Sequence, residues 1–362
     1  MSSSKSSRIR HHRMVVYWLL SLLVLTLVLP LIPYAIAEID PFAGQVANPG
    51  AELWRDVRQR DRSVTGSTQV KGVETDVLIN TFGGKWAMMF RPKVLIPAGA
   101  ALMGIVLGAI LLYYLLHGPL RTHGEPDDRK IQRFTVYERT THWFTVGIFW
   151  VLALTGLILL YGRYVLIPLL GPEGFAVTAS ASKEAHNLFG PIFLVAVLMM
   201  FLAFVKDNIY ERGDIKWLLK GGGMLGGGHL SAGRFNAGEK IWFWIAMLGG
   251  IVLVVTGLIL DFAVFGQGRT VMAVSLLLHG IVALIVISVS FGHTYLGSVG
   301  VPGAFGSMVD GYVNVDWARS HHDRWAEEVE AAGGVLSPEE ADRRRGQSVM
   351  GPGSGSPVSG DS

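Results

Sequence analysis

The chain has 362 residues, half of them hydrophobic, with no cysteine and a net charge of +3. The lack of cysteine excludes disulfides, thiolate-held iron–sulfur clusters and Cys-ligated zinc, so any metal must be held by His, Asp, Glu or Met. The charge is too small for a nucleic-acid surface, and the basic residues read instead as topology signals.

Apolar blocks of about 20 residues, enough to cross a bilayer, occupy 14–36, 94–116, 142–161, 186–205, 241–262 and 272–296. An open sheet edge cannot be satisfied in lipid, so the pattern predicts an all-α integral membrane protein. The N-terminus reads KSSRIRHHR, then an apolar run, then AIA before Glu38. This describes a secretory signal peptide over 1–37, cleaved after Ala37, with an uncleaved anchor helix as the alternative. Residues 38–93 are polar and mixed in charge, a small periplasmic segment too short for a domain of its own. An extra transmembrane helix follows at 94–116.

Loop charge orders the remainder. The connection 117–139 holds Arg121, Arg129, Lys130, Arg133 and Arg139, and 206–240 holds Lys206, Arg212, Lys216, Lys220, Arg234 and Lys240. By contrast 162–183 holds only Arg163 and Lys183, and 263–271 only Arg269. The rich loops are therefore expected in the cytoplasm and the poor ones in the periplasm, with a cytoplasmic tail over 298–362 that is disordered at its Gly/Ser/Pro-rich end, 346–362. GGGMLGGG lacks the Lys-Ser/Thr of a phosphate loop and reads as a linker.

A weak internal repeat runs through the membrane part. WFTVGIFWVLALTGLIL (143–159) aligns without gaps to WIAMLGGIVLVVTGLIL (244–260), and each precedes a helix that opens near a histidine, His186 in HNLFG and His279 in HGIVA. Two similar hairpins predict a four-helix transmembrane bundle over 140–297. On this topology His142 and His293 fall near the cytoplasmic face, and His186 and His279 near the periplasmic face. His279 and His293 are 14 residues apart on one helix, a spacing that returns to within roughly 40° of the same face after roughly 21 Å. One histidine pair per membrane face is what two stacked bis-histidine haems require.

Two blander uses stay open at this point. A membrane histidine often serves as a hydrogen-bonding residue between helices. A transporter of metal ions or protons is the other, and it expects carboxylates or broken helices near the midplane; the intramembrane stretches hold no acidic residue before Asp261. Gly156, Gly190, Gly249, Gly250, Gly257, Gly280 and Gly292 allow close approach of either a macrocycle or a neighbouring helix. His11, His12, His117, His123, His229, His321 and His322 lie in basic loops or tails and read as solvated or interfacial.

ERTTHW (138–143), HNLFG (186–190), RFNAGEK (234–240), LLLHG (276–280) with HTY (293–295), and WARSHHDRW (317–325) resemble the gamma subunit of respiratory formate dehydrogenase, a membrane di-haem cytochrome b. The resemblance covers roughly 136–325, and the leading segment with NPGAELWRDVRQ and VETDVLIN is similar to a long form of that subunit. It implies two haem b groups, one ligated by His142 and His293 and the other by His186 and His279. It also implies that Asn236 and Gly238 line a site for menaquinone or ubiquinone beside the cytoplasmic haem, with His293 reaching it. Glu239 stands where the short form often has Gln, which leaves open a quinone contact, a proton donor or a helix-start carboxylate. The implied function is electron transfer in the bacterial inner membrane, from an iron–sulfur beta subunit fed by a molybdenum or tungsten alpha subunit, to quinone, with no chemistry on formate in this chain. The cytochrome b subunits of nickel–iron hydrogenase and of thiosulfate or polysulfide reductase share the bundle and are the alternative; an anchor subunit without haem is a further one.

Overall fold

A computed structural model of the chain describes residues 90–120, 122, 125–223, 230–262 and 267–350. The expected signal peptide or anchor, nearly all of the periplasmic segment, part of the glycine run and the last twelve residues, 351–362, lie outside the described residues. Among those described, four helices are long and apolar enough to cross a membrane, Arg91–His117, Val136–Asn208, Ala237–Asp261 and Thr270–Gly300. The chain is a multi-pass membrane protein whose described membrane-spanning part is all helix. Five apolar blocks become four helices because 142–161 and 186–205 share one element.

The chain divides into two units. The described part of the first comprises 90–96, 150–190 and 267–274. A π-helical turn over Arg91–Leu95 leads here into α1 (Ile96–His117). Helix α2 (Val136–Phe204) is 69 residues long, about three times the bilayer core if it were straight. It is not straight: Gly171 has φ 74° and ψ 172°, a conformation that costs glycine little because it has no Cβ. The chain folds back at this break. A Cβ on Gly162 would stand 2.7 Å from Phe175, and Thr155 reaches His186. The stretch 162–183, expected as a connection, is thus helical on both sides of Gly171. Against this hairpin the Tyr161 hydroxyl donates to the Ile96 carbonyl (3.0 Å) and Arg91 to that of Leu159 (3.3 Å).

The second unit comprises 97–149, 191–262 and 275–350 of the described residues. The body of α1 exposes Ile105, Leu111, Leu115 and Leu116, as suits a helix whose solvent is lipid. Capping boxes start the two helices of the internal repeat. Thr135 and Glu138 form one at the start of α2, and Asn236 with Glu239 form the other at α4 (Ala237–Asp261). Between them lies the short α3 (Asp214–Leu219), held by an ion pair from the buried Lys240 to Asp214 at 3.0 Å. After α4 comes α5 (Arg269–Tyr295).

The tail folds into a cap. Strands β1 (Lys130–Gln132), β2 (Tyr312–Asn314) and β3 (Val335–Leu336) pair antiparallel in the order β2-β1-β3, with Ile131 opposite both Val313 and Val335. Helices α6 (Ala304–Asp310), α7 (Val315–His321), α8 (Asp323–Ala331) and α9 (Pro338–Met350) complete it. Residues 346–350, expected to be disordered, belong to α9. The cap has its own apolar core of Ile131, Val313, Val315, Trp317, Ala318, Trp325 and Ala326.

Candidate cofactor site

His142 lies two turns into α2 and His293 in the last turn of α5. The structure brings them together: their ring centroids are 6.3 Å apart with the planes at 61°. Two metal–nitrogen bonds of about 2 Å, plus roughly 1 Å from each nitrogen to its ring centre, sum to about 6 Å. The separation therefore suits two imidazoles that bind one iron from opposite sides. Trp242 stacks on the His293 ring at 5.0 Å and 19°, and Trp143 meets His142 edge-on at 5.3 Å. The cap fixes this end of α2, since the Trp143 indole donates to the Met308 carbonyl (3.1 Å) and Arg139 to that of Val309. The Nδ1 of His142 is buried and has no hydrogen-bond partner among the described residues.

His186 and His279 are held alike, each by a threonine. In the first unit the Thr155 hydroxyl donates to the Val151 carbonyl (2.7 Å) and lies 2.8 Å from His186 Nδ1. In the second, Thr256 donates to the Val252 carbonyl (2.7 Å) and lies 2.9 Å from His279 Nδ1. A hydroxyl has one hydrogen, and each is committed to a carbonyl one turn back. The oxygen then has a lone pair to accept from Nδ1–H, and in that tautomer Nε2 carries the lone pair. That is the tautomer a metal-ligating histidine needs. The next residue of each repeat is glycine, and a Cβ there would sit 3.3 Å from His186 Cε1 at Gly156 and 3.4 Å from His279 Cε1 at Gly257. The TG pair shared by the repeats is thus a seat for one imidazole.

Asn236 and Gly238 sit at the start of α4. Asn236 Oδ1 accepts the Glu239 amide hydrogen at 3.0 Å, which leaves the amide NH2 as the group of this side chain suited to a ligand. A Cβ on Gly238 would approach the Trp217 ring to 3.1 Å, so the glycine keeps the indole close to this turn. Glu239 is occupied on both oxygens: Oε2 accepts from the Asn236 amide (2.9 Å) and Oε1 from Arg133 Nη2 (2.9 Å). It also lies within electrostatic reach of His293.

The sequence does not single out Arg133 or His322, and His322 reads there as solvated or interfacial. In fact both are buried, at 4% and 2% exposure. His322 Nδ1 donates to the Gly233 carbonyl (2.9 Å), so its Nε2 accepts the second hydrogen of Arg133 Nη2 (3.0 Å). The guanidinium also lies 4.8 Å from the Trp317 ring centre. Burial, with the Arg133 charge second, holds the His322 pKa well below its ordinary value. Burial also lowers that of Arg133, against the opposing pull of Glu239. The aromatic flanks of WARSHHDRW were the one signal that this histidine is enclosed.

Residues 133–311 match the family model described as prokaryotic cytochrome b561. The chain is 33% identical over 217 residues to the cytochrome b556(Fdn) subunit of nitrate-inducible formate dehydrogenase from Escherichia coli, covering 59% of this chain and 97% of that protein. It is 30% identical over 203 residues to the cytochrome b556(fdo) subunit of formate dehydrogenase from the same species, covering 55% and 93%. The cytochrome b556 subunit of formate dehydrogenase from Haemophilus influenzae is 30% identical over 231 residues, covering 61% and 91%. The chain belongs to the formate dehydrogenase cytochrome b subunits. Haem b is the group that a cytochrome b carries, and the donor set fits it: His186 and His279, each with a hydroxyl at Nδ1 that leaves Nε2 for a metal, and His142 with His293 at a separation that suits shared iron. The family match spans all four histidines with Asn236 and Gly238, and it stops before His322.

Proposed function

We propose that this chain is the electron conduit of a formate dehydrogenase in the bacterial inner membrane, linking an iron–sulfur subunit and its molybdenum or tungsten catalytic subunit on the periplasmic face to quinone near the cytoplasmic face through two b haems. The observation that carries the reading is the 6.3 Å separation of His142 and His293. Haem iron, when bound, supplies reversible one-electron transfer.

In this reading His142 and His293 hold one haem, and His186 and His279 the other, the latter pairing resting on their matched places in the internal repeat and on the family motifs. Trp242 covers the His293 ring and keeps it in register. The quinone, menaquinone or ubiquinone, sits beside His293 at the first turn of α4. There Asn236 offers its amide NH2, and Gly238 holds Trp217 near. Glu239 shapes this place as the helix-start carboxylate of α4, with Oε2 on the Asn236 backbone amide and Oε1 on Arg133. The basic connections 117–139 and 206–240 put this end in the cytoplasm, so quinone reduction takes its protons from that side and moves charge across the membrane.

The test is a reduced-minus-oxidised spectrum of the purified protein with haem quantified per chain. Two b haems per chain are expected, together with co-purification of iron–sulfur and molybdenum or tungsten subunits. A chain that carries no b-type band when fully expressed with its partners ends the reading.

A further inference from the structure

Building on the di-haem reading, we propose that Thr155 and Thr256 are positioning residues that set the two haems to different potentials and so give the electron path its direction. Both threonines have their only hydroxyl hydrogen committed to a backbone carbonyl. Each therefore offers a lone pair to the Nδ1–H of its histidine, His186 or His279, which at His279 is shared with the Leu253 carbonyl. An accepted Nδ1–H makes the imidazole more electron-rich at Nε2 and stabilises the oxidised iron. The haem ligated by His186 and His279 has this support on both axial ligands. The haem ligated by His142 and His293 does not have it on His142, whose buried Nδ1 faces no acceptor among the described residues. The first haem is thus the lower in potential, and electrons delivered to it run downhill to the second, at the quinone end. The internal repeat supplies the device. Its TG pairs place one threonine under each of two histidines, while His142, which lies just before the repeat begins, receives none.

The experiment is a potentiometric titration of the b-haem absorbance in the complete complex, for wild type, Thr155→Val, Thr256→Val, the double variant, and the Ser variants at both positions. Loss of the His142/His293 haem through His142→Ala assigns the two components, and the component left behind should be the lower one. Each Val variant should raise that component and leave the other in place, the double variant should raise it further, and Ser should restore it. If Val removes the haem and Ser retains it, the hydroxyl is shown to be required at the ligand, which also supports the proposal. The proposal is overturned if both haems stay bound and neither moves, if the higher component moves instead, or if Ser fails wherever Val fails. A wild-type complex with fewer than two b haems would instead overturn the di-haem reading itself, which separates the two failures.

Discussion

Arg133 and Glu239 meet through a 2.9 Å contact between Nη2 and Oε1, with the guanidinium side chain 3% exposed and the carboxylate 35% exposed. The pair joins the entry to the membrane part, just before α2, to the first turn of α4. The same carboxylate completes the capping box with Asn236. Replacing Glu239 by Gln keeps the size and one acceptor but removes the counter-charge from a buried cation. The expected cost is about 1–2 kcal/mol, allowing for solvent access to the carboxylate, with Glu239→Ala costing more. Thermal unfolding of the detergent-solubilised protein, followed by size-exclusion chromatography, measures this. A Gln variant as stable as wild type would remove the anchoring role of the carboxylate.

His322 makes the cap sensitive to acid. Its Nε2 faces Arg133, with Glu239 at 3.9 Å and with His321 and Asp323 adjacent. Its folded pKa lies well below the ordinary 6.5, so below that value the unfolded chain takes up a proton that the folded chain refuses. Stability from this residue is therefore complete above about pH 6.5 and falls as the pH drops, by up to about 1.4 kcal/mol per pH unit. His322→Gln should flatten the dependence between pH 7 and pH 5 in the same unfolding assay. An unchanged slope would place the acid sensitivity elsewhere.

Much of the membrane part was legible because its signals are local and repeat. Apolar length marks the spans, and the repeat of 143–159 at 244–260 marks the hairpins, with TG in both. Histidines at matched positions then stand out. What escaped has a common physical cause. The helical continuation around Gly171 cannot be told from a loop, because a polar stretch such as 172–185 carries no membrane signal either way. The cap depends on β1 meeting β2 and β3 across about 180 to 200 residues of chain, and strands of two or three residues have no visible period. Arg133 and His322 read as ordinary basic residues because their burial is created only when those distant segments close around them. Thr155 and Thr256 read as apolar-run neighbours until their partners' ring nitrogens are placed.

The glycines under His186 and His279 allow a graded test of the imidazole seats. A Cβ at Gly156 meets His186 at 3.3 Å and one at Gly257 meets His279 at 3.4 Å. Alanine asks the ring to shift by only a few tenths of an ångström, whereas valine adds methyl groups where the ring stands. Gly156→Ala and Gly257→Ala should keep both b haems, while Gly156→Val and Gly257→Val should lose one of the two. Haem content per chain reads the outcome. Full haem content in both valine variants would mean that these histidines do not hold iron in the seats described.

Asn236 separates structure from quinone chemistry within one side chain. Its Oδ1 caps α4 by accepting from Glu239, a contact worth about 1 kcal/mol. Its NH2 is the part offered to quinone. Aspartate preserves the acceptor and the cap and abolishes the NH2 donor, whereas alanine removes both. Asn236→Asp should therefore unfold near the wild-type temperature while its quinone-dependent oxidation of the reduced haems slows, and Asn236→Ala should show both defects. The rate is followed by haem absorbance after rapid mixing with a soluble quinone, with haem reduction from the partner side as the internal control. Because aspartate also brings a charge near Glu239, the comparison is repeated with Asn236→Ser, which keeps a neutral cap. Wild-type quinone kinetics in all three variants would place the quinone away from the start of α4 and leave Asn236 as a helix cap alone.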